Sequence, residues 1–250
     1  MDKKYALITG ATSGIGEATA KLFLKKGYFC FLTGRNIEKL KEIKNDFKEN
    51  AFIFQCDLMK EEERIKMAEF VFDGTDYLNV LVNSAGIIKN GNIENTEITD
   101  LKEMMEINLY APFHLIKIFL PLLKKAKGCI VNISSVTGKR AFPNVLSYCI
   151  SKAAIDHMTR CLALELAPYG IRVNSVNPGV VITNLHKRGG MDEESYQKFL
   201  ENSKKTHPLG RVGKPEEVAF LVYFLSSEKA EWITGETISI DGGRSQTALR

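Results

Sequence analysis

A chain of 250 residues, 44% apolar and 26% charged, can bury one sizeable core, and nothing in it requires a second domain. The formal charge of +4 comes without a basic stripe or interleaved aromatics, which argues against nucleic-acid binding. The most apolar stretch, Leu115 to Leu123, is interrupted by Lys117 and Pro121 and is too short to cross a bilayer, so no membrane partner is expected.

In chain order, Met1-Asp2-Lys3-Lys4 leads at once into an apolar run, Tyr5-Ala6-Leu7-Ile8-Thr9, which leaves no room for a signal peptide. Strands are predicted near 4–9, 28–33, 51–56, 78–83, 129–134, 171–177 and 237–241. Helical patterns alternate with them near 15–26, 36–49, 60–73, 100–125, 147–168 and 215–226. Strands apolar on both faces and separated by helices predict an α/β fold: a doubly wound parallel sheet in one domain, its seven apolar runs giving seven strands. The long greasy helix from Asp100 predicts a subunit contact as well as a core role. Residues 183–214 break the alternation with Gly189-Gly190, a short charged helix from about Asp192 to Lys205 and a turn at His207-Pro208-Leu209-Gly210. Placed after a strand end, such an insertion is expected to form a lid over a ligand crevice. Its seven Lys or Arg residues against four Asp or Glu could draw in an acidic substrate, although an ordinary solvated helix has the same composition.

The first strand and helix flank Thr9-Gly10-Ala11-Thr12-Ser13-Gly14-Ile15-Gly16. Its spacing is G-x-x-x-G-x-G rather than G-x-G-x-x-G, but the physical logic is the same. Glycines allow a tight turn and close approach, and the helix start offers free N–H groups to a pyrophosphate. Dinucleotide sites that hold a ribose 2′-hydroxyl place an acid at the end of the second strand; here the chain reads Thr33-Gly34-Arg35-Asn36. Arg35 can instead bond a 2′-phosphate, so NADP(H) is expected in preference to NAD(H).

Further on, Ser135 and Tyr148 lie thirteen residues apart, with Lys152 one helical turn after the tyrosine. An ammonium roughly 5 Å from a phenol at an effective dielectric of about 20 favours the phenolate by about 3 kcal/mol, or about two pKa units. Tyr148 is thus expected to exchange a proton with a carbonyl or alcohol oxygen near neutral pH, with Ser135 hydrogen-bonded to that oxygen. Cys30, Cys56, Cys129, Cys149 and Cys161 are odd in number and lack Cys-x-x-Cys spacing, which suggests a reducing compartment and neither disulfides nor zinc; Cys149 reads as a buried structural thiol. His114, His157, His186 and His207 show no metal-ligand spacing and are assigned no chemistry.

From Thr9 to Gly243 these pieces resemble the short-chain dehydrogenase/reductase family. The resemblance implies a Rossmann-type NAD(P)-binding domain over 1–250 with strand order 3-2-1-4-5-6-7 and a catalytic tetrad of Asn108, Ser135, Tyr148 and Lys152. It implies cofactor contacts from Gly10, Thr12, Ser13, Gly14, Ile15, Gly16 and Arg35, then from Asp57 and Leu58 at the adenine, and from Asn83, Ala85 and Gly86 near the adenosine ribose. Tyr148 and Lys152 would reach the nicotinamide ribose, and Pro178, Gly179, Val181 and Thr183 the nicotinamide end. Ser84 departs from the asparagine that the family often has there. Pro215 to Ala219 and Ile240 to Gly243 are similar to the helix and strand that build tetramers in many members, so a cytoplasmic homotetramer is expected. The implied reaction is NADPH-dependent hydride transfer to a ketone, with a 3-oxoacyl-carrier-protein reductase as the nearest likeness. A steroid, retinoid or general carbonyl reductase, or an NADPH-binding regulator, are the alternatives. Around Tyr148, Ala141, Phe142, Val145, Val180, Leu185 and His186 are the expected substrate walls.

Overall fold

The computed structural model describes residues 3–247; Met1, Asp2 and residues 248–250 of the expected domain lie outside the described residues. The strands are β1 (Tyr5–Thr9), β2 (Phe29–Gly34), β3 (Ala51–Gln55), β4 (Val80–Asn83), β5 (Cys129–Ile133), β6 (Arg172–Pro178) and β7 (Thr237–Ile240). They form one sheet, every pair parallel as the alternation predicts, in the order β3-β2-β1-β4-β5-β6-β7 that the family resemblance implies.

The strands lack polar-apolar alternation because helices cover both faces. Along β1, Ala6 and Ile8 pack toward α1 (Gly14–Lys25), α2 (Ile37–Phe47) and α10 (Pro215–Ser226), while Leu7 packs toward α3 (Glu61–Gly74), α5 (Ala111–Ala126) and α7 (Leu146–Leu166). β4 repeats this with Val80 and Val82 on the first side and Leu81 on the second. Phe23 of α1 and Phe119 of α5 are fully buried anchors of the two layers, each contributing about 1.5 to 3 kcal/mol by burial. β1 and β4 are neighbours whose chains leave toward opposite faces, so a crevice opens at their carboxyl ends.

Two departures from the predicted elements bear on the site. The single helix expected over 100–125 is α4 (Ile98–Met105) and α5 joined by one wide turn, Glu106–Tyr110. Asn108 sits in that turn, its side chain bonded inward rather than lying on a helix face. Second, short helices α6 (Val136–Lys139) and α8 (Leu185–Arg188) escape prediction, since four residues carry no periodic signal. The charged helix of the insertion forms as α9 (Glu193–Thr206), capped by Asp192 Oδ1 accepting from Ser195 N at 2.8 Å.

Candidate active site

One cavity of about 790 Å³ runs along the carboxyl edge of the sheet, within the roughly 300 to 1,000 Å³ usual for ligand sites. At one end lies the glycine turn. Gly10 has φ +66°, and a Cβ on Gly16 would stand 2.2 Å from the Gly10 carbonyl oxygen, so the helix start closes onto the strand only without a side chain there. Thr9 Oγ1 accepts from Ser84 N at 3.0 Å and Ala85 N at 3.1 Å, which ties the end of β4 to this turn. Asp57 accepts from Met59 N through Oδ1 at 3.1 Å, and its own N–H donates to Glu63 at 2.7 Å, so the loop after β3 is held in place.

At the other end the chemistry-bearing side chains converge. Ser135 begins α6, where its Oγ accepts from Thr137 N at 3.2 Å, which leaves its O–H to donate on the side that faces Tyr148. Tyr148 and Lys152 come from the first turns of α7, and Lys152 Nζ stands 5.6 Å from the Tyr148 ring centre. Lys152 Nζ donates to Ile133 O at 2.8 Å, and Ser134 Oγ donates to Lys152 O, so the lysine is fastened to the end of β5 and to the residue that follows it.

Burial reverses the electrostatic expectation for the phenol. Tyr148 is 6% exposed, and loss of water pushes it up to about 12, with the Ser135 hydroxyl facing it acting in the opposite sense. Lys152 is pushed down to about 8 by the same burial, partly offset by Asp156. The sequence estimate counts an attraction between ions and omits the cost of taking both out of water. In the protein alone Tyr148 is therefore a protonated acid, not a group poised near neutrality.

Of the residues expected at the site, Ser135, Tyr148, Lys152, Gly10, Thr12, Ser13, Ile15, Gly16, Arg35, Asp57, Leu58, Ala85, Gly86, Pro178, Gly179, Val181 and Thr183 all line the cavity. So do all six expected substrate walls, from Ala141 and Phe142 to Leu185 and His186. Burial lowers the pKa of His186, which packs on Phe199 with ring centres 4.5 Å apart, so this wall is apolar. Gly14, Asn83 and Asn108 do not line the cavity. A Cβ on Gly14 would meet the Thr183 methyl at 2.9 Å. Asn83 donates to Asn132 Oδ1 at 2.9 Å. Asn108 accepts from Ile87 N at 3.0 Å and donates to Ile87 O and to Ser151 Oγ, bracing the loop that carries Gly86. Cys149 is half-buried rather than buried, its thiol directed at Phe142 O.

Sequence reading missed three groups. Asp156, 2% exposed, accepts from Ser175 Oγ and Asn177 Nδ2, each at 2.7 Å, directly beneath Lys152; its signal was its place four residues after the lysine on one helix. His207, given no chemistry, accepts from Val180 N at 3.1 Å through Nε2 and pairs its Nδ1 with Ser203 O, joining the chain after β6 to the insertion. Arg188 reaches the glycine turn from α8, which no sequence spacing announces.

A glycine turn, a free helix start and a Ser-Tyr-Lys group on one wall are the parts that comparison with known proteins can test. A family profile described as Enoyl-(Acyl carrier protein) reductase, of the short-chain type, matches residues 10–245. The chain belongs to the short-chain dehydrogenase/reductase family. The 3-oxoacyl-[acyl-carrier-protein] reductase of Rickettsia prowazekii is 38% identical over 241 residues, covering 96% of each chain. A short-chain dehydrogenase/reductase of unknown function from Caenorhabditis elegans, solved with cofactor, superposes with a TM-score of 0.90 at 35% identity, covering 98% of this chain and 96% of that one. YwfH, an NADPH-dependent reductase involved in bacilysin biosynthesis, superposes with a TM-score of 0.91 at 28% identity, covering 98% of this chain and all of the other. As a family member the protein is an oxidoreductase that uses a nicotinamide cofactor, and among the described residues no helix is long and apolar enough to cross a membrane.

Proposed function

We propose that the protein is an NADPH-dependent carbonyl reductase whose substrate is a ketone on an apolar body, with a 3-oxoacyl thioester as the leading candidate. The observation that carries this reading is the single cavity with Arg35 and the glycine turn at one end and Ser135, Tyr148 and Lys152 at the other. The turn fits a dinucleotide: a Cβ at Gly16 would strike Gly10, and the start of α1 faces the cavity with its N–H groups. When bound, the cofactor supplies the hydride. Gly10, Thr12 and Ser13 would hold its pyrophosphate end, Asp57 and Leu58 the adenine, and Pro178, Gly179, Val181 and Thr183 the nicotinamide end.

The remaining chemistry belongs to the chain. Ser135 donates a hydrogen bond to the substrate oxygen, where negative charge grows as the carbonyl carbon gains hydride. Tyr148, a protonated phenol, gives its proton to that oxygen and completes the alcohol. Lys152 holds positive charge beside the resulting phenolate and offers its ammonium to the ribose. Asn108 acts by position, bracing Ile87 beside the glycine that flanks the lysine. Residues 183–214 act as a lid, since Leu185, His186 and Phe199 close the apolar side of the cavity. Exposed Phe113 on α5, Leu164 on α7 and Phe220 on α10 support assembly into a homotetramer, and five free thiols support a cytoplasmic setting.

The test is a panel of ketones and β-ketoacyl thioesters followed by loss of NADPH absorbance. Turnover of the thioesters, inhibited by acidic carrier protein, is the expected result. Turnover of simple ketones alone would remove the thioester reading, and no NADPH oxidation with any carbonyl would remove the reductase reading.

A further inference from the structure

We propose that Arg188, on the insertion after β6, is a specificity-determining residue that binds the 2′-phosphate of NADPH together with Arg35. The proposal rests on the NADPH reading above. It goes beyond it by placing half of the phosphate site on the lid.

Beside the glycine turn lies a recess of about 440 Å³ lined by Thr12, Arg35, Asn36, Ile37, Gln55 and Arg188. It holds two guanidinium side chains and no carboxylate. Two like charges facing one recess repel unless an anion lies between them, and guanidinium forks match phosphate oxygens two at a time. The backbone of Arg35, just past β2, is held by β3, where Gln55 Nε2 donates to the Arg35 carbonyl at 2.9 Å.

Arg188 arrives from the far side of the cleft, 175 residues away in sequence, and its Nη1 donates to Ser13 Oγ at 3.0 Å. Its neighbour Lys187 behaves differently: Lys187 Nζ pairs with Glu193 at 2.6 Å and stands over the Tyr196 ring at 4.7 Å. One basic residue of α8 is thus neutralised within the insertion, while the other is delivered to the helix start. The delivery is anchored where the segment begins, at Thr183. The Thr183 methyl rests against Gly14, and the buried Tyr196 hydroxyl donates to Thr183 O at 2.9 Å while accepting from Thr183 N at 3.2 Å. A phosphate in the recess would therefore hold the insertion against the glycine turn, and a cofactor without it would not.

The test measures dissociation constants of NADPH and NADH by nicotinamide fluorescence, and of 2′,5′-ADP and 5′-AMP by calorimetry, for the natural protein, Arg188→Ala and Arg35→Ala. Arg188→Ala is expected to weaken NADPH and 2′,5′-ADP by about tenfold to a hundredfold while leaving NADH and 5′-AMP within about twofold, the size of one charge-assisted bond lost. Retained NADH binding shows that the variant is folded. Protection of residues 183–206 from limited proteolysis should follow NADPH but not NADH in the natural protein, and disappear in Arg188→Ala. Equal weakening of NADPH and NADH would place Arg188 on the pyrophosphate and overturn the proposal. So would an unchanged NADPH affinity in Arg188→Ala with Arg35→Ala impaired, which leaves the NADPH reading standing. A natural protein that binds NADH as tightly as NADPH overturns both.

Discussion

Replacing Lys152 by Met should remove a pH dependence of stability that the folded protein owes to this one buried amine. Its pKa falls from 10.5 free to about 8 in the fold, because burial penalises the ammonium more than Asp156 favours it. Between those two values the unfolded chain binds more protons than the folded one, so this group makes stability rise with pH. Below about 8 both states are protonated and the penalty is constant, at about 3 kcal/mol for a shift of two and a half units. From about pH 7.5 to about pH 9.5 the gain integrates to roughly 2 kcal/mol. The natural protein alone does not reveal it. Burial pushes the thiols of Cys30, Cys56 and Cys129 upward, so the folded state keeps protons that the unfolded state loses, and their contribution falls as pH rises. The thiols are common to both proteins, and the difference between them isolates the amine. Urea unfolding of natural protein and Lys152→Met at the two pH values should show the stability gap moving by roughly 2 kcal/mol in favour of the lysine at the higher pH. Lost packing and the orphaned Ile133 carbonyl shift the gap by a constant and leave its slope untouched. A gap that does not change with pH would mean that Lys152 titrates as it does in water, and the desolvated Tyr148-Lys152 pair would fail with it.

Tyr148→Phe should lower carbonyl reduction by at least about a hundredfold, with NADPH affinity nearly unchanged, because it removes the proton donor while the ring and the Lys152 contact to the ribose stay. In the natural protein kcat/KM for reduction should be flat below about pH 8 and fall above it as Lys152 loses its charge, since the phenol, at about 12, is still protonated there; a fall beginning near pH 6 would refute this. Gly16→Ala should abolish NADPH binding and cost about 1 to 3 kcal/mol in denaturant unfolding, as its methyl would meet the Gly10 carbonyl at 2.2 Å. Asn108→Ala should cost about 1 to 3 kcal/mol by leaving Ile87 N and O without their partner, and a stability equal to the natural protein would show that the wide turn does not depend on it.

The parallel sheet and the ends of the cavity could be read from the chain because they rest on local signals: apolar runs that demand cover on both faces, glycines where a helix must close on a strand, and a tyrosine and lysine one turn apart. Charge states could not. The sequence places Tyr148 beside Lys152 but says nothing of how much water remains, and burial decides the sign of the phenol's shift. Long-range partners were equally hidden. Asp156 looks like any helix-surface acid until β6 brings Ser175 and Asn177 against it, and Arg188 looks like a solvated end of a charged insertion until the fold delivers it to Ser13. Both cases share one physical form, a charge whose role is set by an element distant in sequence. The same reasoning explains the wide turn at Asn108: its side chain is bonded to Ile87 and Ser151, partners 21 and 43 residues away, so the helix yields its regular spacing to satisfy bonds that no window along α4 and α5 contains.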